Sequence, residues 1–519
     1  MVLSKFTALA AVLAISGAAA APRIDPSVHR TLRQQGTVNL IVTMRDSNDS
    51  PLQAAKEASF TSCGAQIEAL VERLSAHAET SQKDHEAVIA HESSASLFSE
   101  SRTFWIPNQR YIKDATVELV EKVAAVPSIL EVREEQILHL PKIVPSSANT
   151  TASTQATNEW GVEKVNAPKI WAGGNRGEGI VVSSIDSGVL ATHVALKGNF
   201  RSDHGWFDAG HKKATPYDEV GHGTHTLGTI AGANGIGVAP GSTWITCKAC
   251  RTEEEGCPES DLLTCAQFIT CPTDVTGNNK DCSKAPHLVS NSWGSGQDDT
   301  FYKAAVNSWH AAGIIPIFAN GNDGPACSTA GSPGDYDNVI AVGATDSTDT
   351  IGWFSSRGPP VKGLLKPACP LLVSMCARLG SMERPYSTPS RAKPGLTYDQ
   401  VKDALIKGVD TSSIITAGEK CGNIKDSVFP NNVFGSGRVN AVKVLGGSTA
   451  PAPTWAPTPS STTRAPAPTP TTRTPAPTPT TRTPTQAPSS CSDLAFVDCF
   501  FADACFWDWS SGQCVDFSQ

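Results

Sequence analysis

No apolar run in this 519-residue chain is long enough to cross a bilayer, so a membrane span is not expected. A basic excess is missing as well. With 42 Lys and Arg against 50 Asp and Glu the formal charge is −8, which argues against nucleic acid as a partner. A complete zinc-ligand set is also lacking. Cys247-Lys248-Ala249-Cys250 has knuckle spacing, but no second Cys pair or His pair completes a tetrahedron. No cofactor is therefore expected. What the chain does have is length for several segments, 39% hydrophobic residues for a sizeable core, and 15 cysteines.

The first 20 residues carry Lys5, an apolar run from Phe6 to Ile15 and then small residues through Ala20. That layout is a secretory signal peptide, so a secreted, extracellular protein is expected and its cysteines are disulfide candidates. Residues 22–141 read as a small α+β unit. Val38–Met44 alternates as a strand and Ile67–Ala76 has helical spacing. Asp114–Val123 reads as a helix capped by Asp114, and Ile129–Gln136 returns as a strand. Residues 141–157 are Ser/Thr/Pro-rich, hold the sequon Asn149-Thr150-Thr151, and read as an exposed connection.

Short apolar strands and helices then alternate: Gly179–Ile185, Thr224–Ala233, His287–Ser290, Thr300–Ala312, Gly313–Phe318 and Asn338–Val342. Such alternation implies an α/β fold, a mostly parallel sheet covered on both faces. In these sheets the site lies beyond the carboxyl ends of the strands. Three candidates fall there. In Gly221-His222-Gly223-Thr224-His225 a histidine opens a helix of small residues, where a near-neutral pKa suits a general base. Asp186, in Ser184-Ile185-Asp186-Ser187-Gly188, stands at a strand mouth and can hold an imidazole in one tautomer. Asn322, in Phe318-Ala319-Asn320-Gly321-Asn322-Asp323-Gly324, can donate to a developing oxyanion.

Together these motifs resemble those of the subtilisin-like serine proteases, in the chain order Asp then His. The family usually has Ala where Asn320 stands. The resemblance runs from about Trp160 to Leu445 and implies a three-layer subtilisin-like domain over 155–446, acting on protein and peptide substrates through an acyl-enzyme. It gives Ser290, Trp293 and Gly294, in Ser290-Asn291-Ser292-Trp293-Gly294, and Gly321 as substrate-binding residues. It makes 22–141 a prodomain, a folding aid and inhibitor; an ordinary accessory domain is the alternative. The insert from Cys247 to Cys282 carries six cysteines and looks like the bacillopeptidase F-like branch. Structural calcium is common in the family, but no ligand cluster is evident here.

One family element is missing. Phe354-Ser355-Ser356-Arg357-Gly358-Pro359 and Lys366-Pro367 match the run before the nucleophile, but no Gly-Thr-Ser-Met-Ala motif follows. Only 34 residues, 358 to 391, separate Arg357 from Ala392, too few for the family's loop and buried helix. Ser381, in Ser381-Met382-Glu383-Arg384-Pro385, has part of the spacing without the flanking residues. Back-translated and read two nucleotides on, Cys369–Arg384 accommodates the missing Ala-Pro-Gly, so 368–391 reads as a frame slip with a deletion. Cysteine parity agrees. Without Cys63, Cys369 and Cys376, 15 − 3 = 12 remain, eight in the protease-like domain and four in the tail.

Residues 447–490 are Pro/Thr repeats, an extended linker. Residues 491–519 hold four cysteines among aromatics, a module stapled by two disulfides. Its rings either fill a tiny core or stack on a carbohydrate or cell wall. The expectation is thus a monomeric secreted serine endopeptidase; the alternative is an inactive homologue that binds through its tail.

Overall fold

The computed structural model describes residues 21–60, 62–140, 158–370 and 396–446, with the backbone of 505–508 and 513–516. The leader, the connection with Asn149, the segment with Cys376 and Ser381, the linker and most of the tail module lie outside the described residues.

The N-terminal domain runs β1 (Arg23–Ile24), α1 (Pro26–Gln35), β2 (Thr37–Met44), α2 (Asp49–Glu57), α3 (Cys63–Ser81), α4 (Lys83–Glu92), β3 (Glu100–Phe104), β4 (Gln109–Thr116), α5 (Val117–Ala124), β5 (Ile129–Glu134) and β6 (Ile137–Leu138). Its sheet has the order β1-β5-β2-β4-β3. Helix α3 is longer than its periodicity predicts. Ser62 caps it by accepting from Ala65 N, and it buries Ile67, Leu70, Val71, Leu74 and Ala78 along one face. The cap expected of Asp114 is a correction. Asp114 sits inside β4 at φ 54, and Thr116 caps α5 instead, accepting from Leu119 N. The preceding strand keeps its ladder three residues further than the polar pattern suggests.

The second domain continues with α6 (Trp160–Lys164), α7 (Ala167–Ala172), β7 (Val181–Asp186), β8 (Trp206–Asp208), α8 (His222–Ala231), β9 (Thr243–Lys248), β10 (Cys257–Pro258), α9 (Glu259–Thr270), β11 (Leu288–Asn291), α10 (Lys303–Ala312), β12 (Ile315–Ala319), β13 (Ile340–Gly343), β14 (Cys369–Pro370) and α11 (Tyr398–Lys407). The main sheet has the order β14-β13-β12-β11-β7-β9-β8, with every pairing parallel. Helices lie on both faces. On one, Leu227 and Ile230 of α8 and Val401 and Leu405 of α11 pack against Val182, Leu288 and Ile317. On the other, Leu262, Phe268 and Trp309 pack against Ile185, Ile245 and Phe318. This is the three-layer α/β fold. The domain closes on Gly435–Asn440, a turn with a two-residue strand, followed by the short helix α12 (Ala441–Val444).

The core on the α9 face does not stop at the domain boundary. Leu70, Leu74, Phe104 and Tyr111 of the N-terminal domain join the cluster that holds Leu262 and Trp309. At the start of α9 the same domain supplies ions: Arg133 meets Glu259 at 2.5 Å, Arg102 meets Asp261 at 3.3 Å, and Glu135 accepts from Ser260 N at 3.0 Å. The last contact satisfies an amide that an isolated helix start would leave open. Strand β6 then pairs antiparallel with β10, Leu138 opposite Cys257.

The six insert cysteines form Cys247–Cys265, Cys250–Cys257 and Cys271–Cys282, and Cys327 bonds Cys421. Cys63 and Cys369 are free, and burial pushes the Cys369 thiol up to about 12. As a separate unit, Cys505–Asp508 and Gln513–Asp516 pair as an antiparallel hairpin. Among the described residues no helix is long and apolar enough to cross a membrane.

Candidate active site

Strand β7 is buried along most of its length and ends on Asp186, which is 1% exposed. The next parallel strand, β9, is followed by backbone that turns its amides onto the exit of β7, with Ala249 N and Cys250 N donating to Asp186 O. The carboxylate is held by Ser187 N at 2.7 Å and by the Thr226 hydroxyl at 3.1 Å. Its Oδ1 accepts from Nδ1 of His222 at 2.7 Å. That contact leaves Nε2 of His222 as the acceptor nitrogen whenever the ring is neutral.

His222 is the first residue of α8 and is 7% exposed. Burial alone would depress its pKa. The charge of Asp186, the hydrogen bond to it and the charge of Asp218 outweigh burial and hold the imidazole above its usual value. Gly223 permits the approach of the two elements. A Cβ there would meet Gly188 O at 2.1 Å and the Asp186 Cβ at 3.1 Å. The small residues of the His motif thus serve to bring a helix start against a strand end.

Beyond β11 and β12, separated from β7 by one strand or none, lies a cleft of about 330 Å³. Its walls include Ser292, Trp293, Gly294, Gly321 and Asn322, with Trp353 at the rim, 65% exposed. Asn322 itself is exposed. Its loop is fixed from below: Ser356 N donates to Gly321 O at 3.0 Å, the Asn320 amide donates to Ser356 O at 2.7 Å, and Asp323 N donates to the Ser356 hydroxyl at 3.0 Å. Gly321 has φ 108, and a Cβ on it would stand 2.7 Å from the Ser356 hydroxyl, so only glycine fits.

The structure brings Asp186 and His222 into contact and gathers Trp293, Gly294, Gly321 and Asn322 around the cleft. Ser290 is placed elsewhere. It lies inside β11, buried between Ser184 and Ile317, and the cleft wall begins two residues later. Trp293 is 2% exposed, with its indole in the core against Tyr302 and Phe318, ring centroids 5.0 and 5.4 Å away. A wall residue of the N-terminal domain, His139, also lines the cleft, just past β6. Sequence reasoning missed Asp218 and Ser187, which bind the loops around the Asp–His pair. The signal for each was only its position, four residues before His222 and one after Asp186.

The model of the Subtilase family matches residues 177–377. Bacillopeptidase F of Bacillus subtilis is 30% identical over 487 residues, covering 82% of this chain and 32% of that protein. Subtilisin BL of Lederbergia lenta is 30% identical over 54% of this chain and 96% of its own length. Subtilisin DY of Bacillus licheniformis is 33% identical over 39% of this chain and 69% of its own. The chain thus spans about a third of bacillopeptidase F and nearly all of subtilisin BL.

Proposed function

The chain belongs to the subtilase family, and from that premise we propose that it is built as a secreted serine endopeptidase. In this reading Nε2 of His222 takes the proton of a serine hydroxyl as its oxygen attacks a peptide carbonyl. Asp186 keeps Nδ1 protonated and stabilises the imidazolium. Asn322 donates to the oxyanion, an interaction worth roughly 3–4 kcal/mol in transition-state stabilisation. The imidazolium returns its proton to the leaving amine, an acyl-enzyme remains, and water activated by the same ring releases the acid. The observation that carries the reading is the buried 2.7 Å contact between Asp186 and His222 at the carboxyl ends of parallel strands.

The serine belongs to the segment that this sequence replaces. We propose that 368–391 is a frame-slipped reading of the nucleophile loop and helix, and that the restored frame supplies the Gly-Thr-Ser motif. His139 in the cleft wall and the pairing of β6 with β10 support a second element of the reading, that the N-terminal domain inhibits its own enzyme. The absent motif favours the alternative for the chain as written, a secreted homologue without catalysis, binding carbohydrate or cell wall through its tail.

The test is to sequence the transcript across the codons for Lys366 to Ala392, then expose both chains to a fluorophosphonate probe. The restored chain should label, faster as pH rises through the raised His222 pKa, and should lose labelling on His222→Ala. The chain as written should not label. A restored frame without a serine motif, or a restored chain that never labels, overturns the endopeptidase reading.

A further inference from the structure

Helix α8 has an exposed problem at its start. Its N-cap is Gly221, which has no side chain to accept from the first-turn amides. Two of those amides are nevertheless paired. Gly223 N donates to the Ser187 hydroxyl at 2.9 Å, and Thr224 N donates to Asp218 Oδ2 at 2.8 Å. Asp218 also accepts from the Thr224 hydroxyl at 2.6 Å, from Gly221 N at 2.9 Å, from Val220 N at 3.2 Å and from the Ser187 hydroxyl at 2.8 Å. The Thr224 oxygen in turn accepts from Leu190 N at 2.9 Å.

We propose that Asp218 is a positioning residue for the Asp186–His222 pair, a single carboxylate that clamps the exit of β7 to the first turn of α8. The two catalytic side chains come from elements 36 residues apart. Each one's direction is fixed by the backbone beside it, Ser187–Gly188 for Asp186 and Gly221–Gly223 for His222. Asp218 and the Ser187 hydroxyl link those two stretches directly, and a carboxylate at a helix start is favoured by the helix dipole. The arrangement also leaves a second negative charge facing the imidazole. The other charged groups there are Lys248, which faces Asp218 from β9 with its ammonium on Ser187 O, and His225, one turn along α8.

This inference rests on Asp186 and His222 being the working pair, but its test needs no nucleophile. The full-length chain, labelled with ¹³C in its histidine rings, is titrated by NMR, and the His222 signal is assigned by its loss in His222→Gln. Asp218→Asn should lower the His222 midpoint, as removal of a nearby anion does, while the half-buried His310 of α10 stays unmoved. Ser187→Ala keeps the charge but breaks the link to Gly223 N, and should lower the midpoint in the same direction by less. An unchanged His222 midpoint in a folded Asp218→Asn chain overturns the proposal. If that variant does not fold, an unchanged midpoint in Ser187→Ala does so. Asp186→Asn separates the two layers: if it fails to lower the midpoint, the pairing itself is wrong rather than the role of Asp218.

Discussion

Arg133 and Glu259 meet 2.5 Å apart across the junction of the two domains, with the carboxylate fully buried and the guanidinium side chain 16% exposed. Burial raises the Glu259 pKa, and Arg133 opposes it with its charge and its hydrogen bond. Removing the cation leaves that carboxylate without its partner. Arg133→Ala should destabilise the intact chain by about 3–5 kcal/mol. The double change Arg133→Met with Glu259→Leu should recover most of the loss, because two apolar groups need no partner. Urea unfolding of the wild type, the single variant and the double variant measures both effects, and equal losses in the single and double variants would contradict this account.

Acid should weaken the N-terminal domain through one residue. His85 in α4 is fully buried with neither ring nitrogen hydrogen-bonded. Burial first, and then the Arg110 guanidinium, lowers its pKa from 6.5 to about 3. Between those values the unfolded chain takes up a proton that the folded chain refuses. The stability this residue confers is therefore complete above 6.5 and is lost as pH falls toward 3. From this group alone, stability at pH 4.5 should be roughly 2–3 kcal/mol below that at pH 7.5. Denaturant titrations of wild type and His85→Leu should show a flatter pH dependence in the variant; parallel curves would refute it.

Two disulfides of different span should contribute unequally. Cys327–Cys421 has a sequence separation of 94 and Cys250–Cys257 one of 7. Closing the longer loop removes more chain entropy from the unfolded state, about 4.6 kcal/mol against about 2.4. Replacing each pair by alanines should lower stability in that order, as read from thermal unfolding under non-reducing conditions.

Gly223→Ala should separate Asp186 from His222. The added methyl would stand 2.1 Å from Gly188 O, a contact relieved only by moving strand exit or helix start. The low-field proton of a buried Nδ1–H to carboxylate bond should disappear from the NMR spectrum. In the frame-restored chain, probe labelling should slow by about 100-fold, the scale of a 1 Å misplacement. A retained low-field proton would show that the backbone accommodates the methyl.

Much of this was legible in the sequence because it rests on short-range signals. The strands β7, β11 and β12 announce themselves as apolar runs, Asp186 stands where the first of them ends, and His222 opens a helix of small residues. The insert's cysteine parity was readable, whereas its pairing was not, since six cysteines permit many connectivities. Ser290 misled because a motif segment carries both strand interior and cleft wall, and only the ladder register tells where one becomes the other. Asp218 was invisible for a different reason. Its five bonds go to backbone and hydroxyl groups, partners that any loop offers, and no residue pattern marks which of them will converge. The ions at the domain junction join positions more than 100 residues apart, such as Arg133 and Glu259, and so left no local trace.

The Cys327–Cys421 bond has a topological consequence as well as an energetic one. It closes a ring of chain within which the whole divergent stretch, 368–391, is contained. A backbone cut anywhere in that ring yields two polypeptides that still travel as one molecule. The strand β14 side and the α11 side of the core would remain tethered after such a nick, and electrophoresis would report a single species until a reductant divided it. Severing this stretch would therefore leave the C-terminal part of the chain attached to the rest.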